Sequence, residues 1–310
     1  MVKSILNLFR VKQWVKNLMI YIPLFFSGNL LDSASFYKTT YAFIALCFLS
    51  SAVYIFNDIL DRKRDSLHPK KKTRLISSGK ISVFSAVILL LSILSFAFVI
   101  SSLYVQSEYF NAFMILYASM MLFYTLFFKH IGIVDAIVIA LGFVLRVVAG
   151  AVLLELSLSA MLVVAMIGAA ILISFGKRKA EISSMGWELA IKHRPALIVY
   201  PKGVLDIIIS TVTSVTFFAY IMYCYGYKTE GLITLLEPYL PPRFQDPQWL
   251  LLTIPVAFYV LTRYLILIYK GESIIPEDIW VKDSSLRYGL VLWILLMFLL
   301  IYFEQLSRMF

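Results

Sequence analysis

Long apolar runs separated by short charged stretches dominate the chain. Nine can be traced: Trp14 to Leu31, Phe36 to Phe56, Val83 to Tyr104, Phe110 to Phe128, Ile133 to Leu154, Leu158 to Phe175, Val204 to Tyr225, Trp249 to Tyr269 and Tyr288 to Phe303. A bilayer crossing takes about 20 mostly apolar residues, and none of the runs alternates as a barrel strand would. Hydrocarbon offers the backbone no hydrogen-bond partner, so each run must close its bonds within itself as a helix. The pattern predicts an all-α, polytopic membrane protein of nine transmembrane helices, with residues 1–310 as a single transmembrane domain. No internal repeat is visible. The N-terminal stretch MVKSILNLFRVKQWVKN interleaves basic and apolar residues without a small-residue cleavage site, and is expected to be retained at the membrane interface.

Composition agrees: 61% of the residues are hydrophobic and only 15% charged, which leaves no room for a large soluble domain. The 28 Lys and Arg against 18 Asp and Glu give a net charge of +10. In a membrane protein that excess concerns topology and anionic head groups before nucleic acid, and no nucleic-acid partner is expected. With the N-terminus placed in the cytoplasm, 22 of the 28 basic residues fall on the cytoplasmic side, and only Lys38, Lys228, Arg243 and Arg308 on the other. The asymmetry fits the positive-inside rule and places the polar chemistry on the cytoplasmic face. Cys47 and Cys224 both lie in apolar runs, so neither a disulfide framework nor a zinc site is indicated.

The densest chemistry follows the second run, in SAVYIFNDILDRKRDSLHPKKKTRLISSGK, residues 51–80. Asp58, Asp61 and Asp65 are spaced three and then four apart, so a continuing helix would present all three on one face, with Asn57 one turn before Asp61. Such like charges cost least with a divalent cation between them. Mg²⁺ takes one or two carboxylates and completes its shell with water and substrate phosphates, and Lys70, Lys71, Lys72 and Arg74 would meet the remaining charge of a diphosphate. The bland alternative is an interfacial loop whose acids merely balance its lysines.

The segment N-D-x-x-D-x-x-x-D, filled by Asn57 to Asp65, resembles the first signature of the UbiA superfamily of intramembrane prenyltransferases. The likeness is greatest to the superfamily's phosphoribosyltransferase branch, which acts on decaprenyl phosphate. It rests on QWVKN (13–17), SAVYIFND (51–58), HPKKKTR (68–74), FKHIGIVDA (128–136), LRVVAG (145–150), GKRKAE (176–181) and PEDIWVKDSSL (276–286), in that order. The superfamily usually carries a second motif, D-x-x-x-D, after the sixth span. Here the corresponding place reads Lys177, Arg178, Lys179, Ala180, Glu181. A cationic pair there favours an extra phosphate over a second metal, as a donor with a separate 5-phosphate requires.

The resemblance therefore implies Mg²⁺-dependent transfer of 5-phosphoribosyl from phosphoribosyl pyrophosphate to a polyprenyl phosphate in a bacterial or archaeal plasma membrane. Asp58, Asp61 and Asp65 would hold the metal, Lys177 and Arg178 would hold the 5-phosphate, and Glu181 would be among the substrate-binding residues. Lys16, Asn17, Asn57, Lys70, Arg74 and Lys129 are expected around the substrates. Arg146 lies mid-span, where a charge needs a cavity or a partner; Gly142 and Gly150 flank it, and Asp135 is three turns earlier on nearly the same face. Arg263 has no assigned role and is expected to pair with a carboxylate such as Asp206. The stretch GESIIPEDIWVKDSSL, residues 271–286, reads equally as a cap over the cavity or as a plain linker. Prenyl transfer to an aromatic or lipid acceptor is the nearest alternative function, and a secondary transporter the rival from another class. The sequence leaves the oligomeric state open.

Overall fold

A computed structural model describes residues 6–67, 71–193, 195–227, 248–271 and 283–307. Among these, eight helical segments are long and apolar enough to cross a membrane. They are built on α1 (Ser33–Leu60), α2 (Val83–Ile100), α3 (Glu108–Leu126), α4 (Val134–Leu153), α5 (Ala160–Met185), α6 (Val204–Gly226), α7 (Ile254–Tyr269) and α8 (Ser284–Ser307). Local chemistry sets several starts: Asp32, Ser82 and Ser107 accept from the backbone N–H three residues on, at 2.9, 3.0 and 3.3 Å, the usual satisfaction of an orphan N-terminal donor. α5 stops at Gly186, whose φ of 79° suits a residue without Cβ.

The expected first span is different. Val11–Tyr21 is a 3₁₀ helix, followed by a short α-helix, Ile22–Phe26, with a proline in its first turn. The reason lies in its antiparallel zipper along α1. Arg10 meets Asp58, Trp14 donates to Ser51 at 3.0 Å, Asn17 donates to Ser50 at 3.1 Å, and Tyr21 donates to Thr40 at 2.9 Å. From Asp58 to Thr40, α1 rises about 27 Å. Eleven residues of α-helix would cover only about 16 Å, whereas 3₁₀ geometry, at about 2 Å per residue, covers about 22 Å. The three-residue period also stacks Trp14, Asn17 and Ile20 toward α1.

The chain divides into two compact units. The first comprises residues 1–129 and 145–156. Its core joins Ile20, Leu46, Leu49, Phe110, Met114 and Leu153, with a second cluster around Ile55, Ile76 and Ile93. Gly150 lets α4 meet the 3₁₀ segment: a Cβ there would lie 2.2 Å from the Ile20 carbonyl oxygen.

The second unit comprises residues 130–144 and 157–310. Its core gathers Leu172, Phe175, Tyr200, Leu205, Leu267 and Ile268. Ile133, a β-branched residue at φ 60°, is held there by its N–H donating 2.8 Å to the Tyr200 hydroxyl. That conformation is rare for such a side chain, and it launches α4 so that Asp135 falls in its first turn.

Candidate active site

In the first unit the acids end α1. Asp61 caps that helix and a further short helix, Arg62–Ser66, carries Asp65. The N–H of Asp61 bonds to the Asn57 carbonyl at 2.9 Å and that of Asp65 to the Asp61 carbonyl at 2.8 Å, so helical spacing survives the break. Asp58 and Asp65, two turns apart and both buried, share one nitrogen: Arg74 Nη1 lies 3.1 Å from Asp58 Oδ1 and 2.6 Å from Asp65 Oδ2. Arg10 contacts the same Asp58 oxygen, with its guanidinium 4.6 Å from the centre of the Tyr54 ring. Asp61 turns instead to Lys129 Nζ at 2.7 Å.

The acids are thus neutralised by cations that sequence spacing alone does not bring together. Arg10 was not singled out by sequence at all; its one signal there is its place just before the Gln13–Asn17 segment. Asn57 is half-buried, and Lys70 and His68 lie outside the described residues. Beside Asp58 opens a cavity of about 330 Å³, lined by Arg10, Thr73, Arg74, Lys80 and neighbouring Asn7, Leu8 and Leu75.

Among the described residues no three His, Cys, Asp or Glu side chains form a metal-holding group. Yet oxygens of Asp58 and Asp65 converge on a single cationic nitrogen. One or two carboxylates suffice for Mg²⁺ when phosphate oxygens and water supply the rest. The donor set therefore fits a metal–diphosphate, and does not make an all-protein cage.

Arg146, buried on α4, donates 2.7 Å to Asn17 Oδ1 and 2.7 Å to the Tyr117 hydroxyl, and Asn17 in turn donates to Ser50 and, at 3.3 Å, to the Cys47 sulfur. Lys16, half-buried, donates to Gln13 Oε1 at 2.5 Å. This network fixes the 3₁₀ segment by polar groups that apolar surroundings strengthen.

In the second unit Arg178 is 1% exposed, with Nη2 3.0 Å from Asp135 Oδ2 and Nη1 3.4 Å from Glu181 Oε1. The two polar residues of α4 take different partners: Arg146 bonds to Asn17 and Tyr117, and Asp135 to Arg178. Lys177 is half-buried. Lys179 pairs with Asp206 at 2.6 Å, and Arg263 with Asp283 at 2.6 Å. The expected pairing of Arg263 with Asp206 is therefore replaced, because Asp283 stands at the start of α8, where it also accepts the Leu286 N–H at 2.6 Å. That guanidinium holds the Asp283 carboxyl below the usual carboxylate range. Residues 272–282, the body of the expected cap, lie outside the described residues.

A multi-pass helical membrane protein with an N-D-x-x-D-x-x-x-D motif closing its first long helix is thereby defined. The chain belongs to the UbiA prenyltransferase family, whose model matches residues 21–273. It is 26% identical over 300 residues to decaprenyl-phosphate phosphoribosyltransferase of Mycolicibacterium smegmatis, covering 95% of this chain and 91% of that one. It is 25% identical over 305 residues to the protein of that name from Mycobacterium tuberculosis, covering 95% and 93%. Its fold matches a UbiA homolog of Archaeoglobus fulgidus solved with GPP and Mg²⁺, at a TM-score of 0.64 and 18% identity over 96% of this chain and 99% of that one.

Proposed function

We propose that this protein transfers the 5-phosphoribosyl group of phosphoribosyl pyrophosphate to a polyprenyl phosphate and releases diphosphate. The observation that carries the reading is that the second motif position reads Lys177, Arg178, Lys179, Ala180, Glu181, with Glu181 already 3.4 Å from Arg178. A two-metal prenyl diphosphate site would need a pair of carboxylates at that motif, and a single one stands there. The full-length similarity to proteins named decaprenyl-phosphate phosphoribosyltransferase supports the same choice.

Asp58 and Asp61, with Asp65 directly or through water, are assigned to Mg²⁺, which when bound would offset charge on the diphosphate. The acceptor phosphate is already anionic, so no general base is needed. One of its oxygens bonds to the anomeric carbon as the carbon–oxygen bond to diphosphate breaks. The diphosphate leaves with that electron pair, and the carbon inverts. What the protein's own residues supply is position and charge: Arg74, Lys16, Lys70 and Lys129 as cations for phosphate oxygens, Asn57 as an orienting amide, and Lys177 for the 5-phosphate, while Arg146 and Asn17 act through the 3₁₀ segment they hold. The basic excess of one set of loops favours a cytoplasmic N-terminus and cytoplasmic chemistry in the plasma membrane.

Prenyl transfer is the second reading, favoured by the family match itself. Purified protein in detergent, given Mg²⁺, labelled phosphoribosyl pyrophosphate and a short polyprenyl phosphate, should yield a labelled lipid that chelation abolishes. Consumption of a prenyl diphosphate with an aromatic acceptor, and no label in the lipid, would replace the first reading by the second. Asp58→Asn should remove turnover in a protein that stays folded.

A further inference from the structure

The cavity beside Asp58 holds three cations, Arg10, Arg74 and Lys80, against one carboxylate. Such an excess suits an anion, and at about 330 Å³ the space is within the range of small-ligand sites. Two of its cations are spent on the acids: Arg10 and Arg74 both meet Asp58 Oδ1, and Arg74 also meets Asp65. Each guanidinium has five N–H donors, and these contacts use a minority of them. A carboxylate oxygen crowded by two guanidinium groups must be released before a divalent cation can take it. Guanidinium groups in turn pair with phosphate in a bidentate manner.

Arg10 also has a backbone reason to be poised. It sits in the left-handed region, at φ 50° and ψ 46°, just before the 3₁₀ segment. A non-glycine residue pays about 1 kcal/mol there, and the contacts to Asp58 and Tyr54 hold it in place. Lys80 differs: it is exposed on the cavity wall and makes no ion pair among the described residues.

We propose that Arg10 and Arg74 are exchangeable counter-ions: they neutralise Asp58 and Asp65 in the ligand-free protein and turn, together with Lys80, to a phosphate group in this cavity when a divalent cation takes the carboxylates. The inference rests on the assignment of those acids to a metal.

The exchange has a signature of opposite signs. Arg10→Gln removes a competitor for the acid and a ligand for the anion. It should bind Mn²⁺ alone about threefold more tightly by electron paramagnetic resonance, and inorganic pyrophosphate with Mg²⁺ about tenfold more weakly by calorimetry. A merely structural arginine would weaken both, and a mere competitor would strengthen both; either result overturns the proposal. Lys80→Ala, an exposed position with little risk to folding, should leave Mn²⁺ binding unchanged and weaken pyrophosphate about fivefold. Decyl phosphate in the same micelles separates the sources. If its affinity falls in the variants in place of that of pyrophosphate, the cavity takes a lipid phosphate and the exchange stands; if neither anion responds, it fails. Wild-type protein that transfers the ribosyl label while both variants bind every probe normally would sink the exchange and leave the function standing. Wild-type protein that binds no Mn²⁺ would sink the metal assignment, and with it the exchange.

Discussion

Replacing Arg178 by methionine separates two roles for the basic segment of α5. The family resemblance implies that Arg178 is a phosphate ligand; the structure shows it 1% exposed, 3.0 Å from an equally buried Asp135. At that separation the attraction is about 5 kcal/mol for an effective dielectric near 20, set against the desolvation of both ions. Truncating one partner of such a pair costs about 3–5 kcal/mol, because the other charge stays buried and unpaired. At about 2–3 °C per kcal/mol for a chain of this size, Arg178→Met should lower the melting temperature in detergent by about 6–15 °C. The double variant Asp135→Asn/Arg178→Met should recover most of that loss, since two neutral groups of similar shape leave no orphaned charge. Fluorescence-detected size exclusion after heating steps, at fixed detergent and heating time, reads both. If Arg178→Met melts with the wild type and its defect is confined to the Michaelis constant for phosphoribosyl pyrophosphate, the argument from burial is wrong and Arg178 is a substrate ligand.

Lys177→Ala should raise the apparent Michaelis constant for the phosphoribosyl donor more than that for the lipid; equal effects in steady-state assays would reduce the basic segment to a topology signal. Gly150→Ala gains about 1 kcal/mol of helix propensity but drives a Cβ to 2.2 Å from the Ile20 carbonyl oxygen. The cost of overpacking, about 1–3 kcal/mol, should therefore show as a net loss of thermal stability, and an unchanged melting temperature would mean that the 3₁₀ segment gives way freely. The carboxyl of Asp283 is held low by Arg263, with help from the Leu286 N–H. Its contribution is present above the unfolded carboxylate pKa of about 3.9 and is lost as pH falls through the lower folded value. Wild type and Asp283→Asn should thus differ in melting temperature at pH 6 and converge toward pH 2; a difference that persists at pH 2 would contradict the pairing.

Much of this protein can be read without coordinates. Apolar runs of membrane length must become helices because lipid leaves their backbone no other partner, and eight of the nine expected runs do so. The family motif is legible because its acids lie within nine residues, where helical spacing alone sets their geometry. The first run departs from expectation because its conformation is set by a second chain segment: partners on α1, more nearly matched by 3₁₀ rise, outweigh the usual preference for α-helix. Which cation meets which acid is likewise a tertiary matter. Asp58 finds Arg10 48 residues away and Asp61 finds Lys129 68 residues away, while Arg263 takes Asp283 in place of Asp206. A charge in sequence is only a demand for a counter-charge. Buried surroundings make that demand costly to ignore, but only packing decides which residue is near enough to meet it.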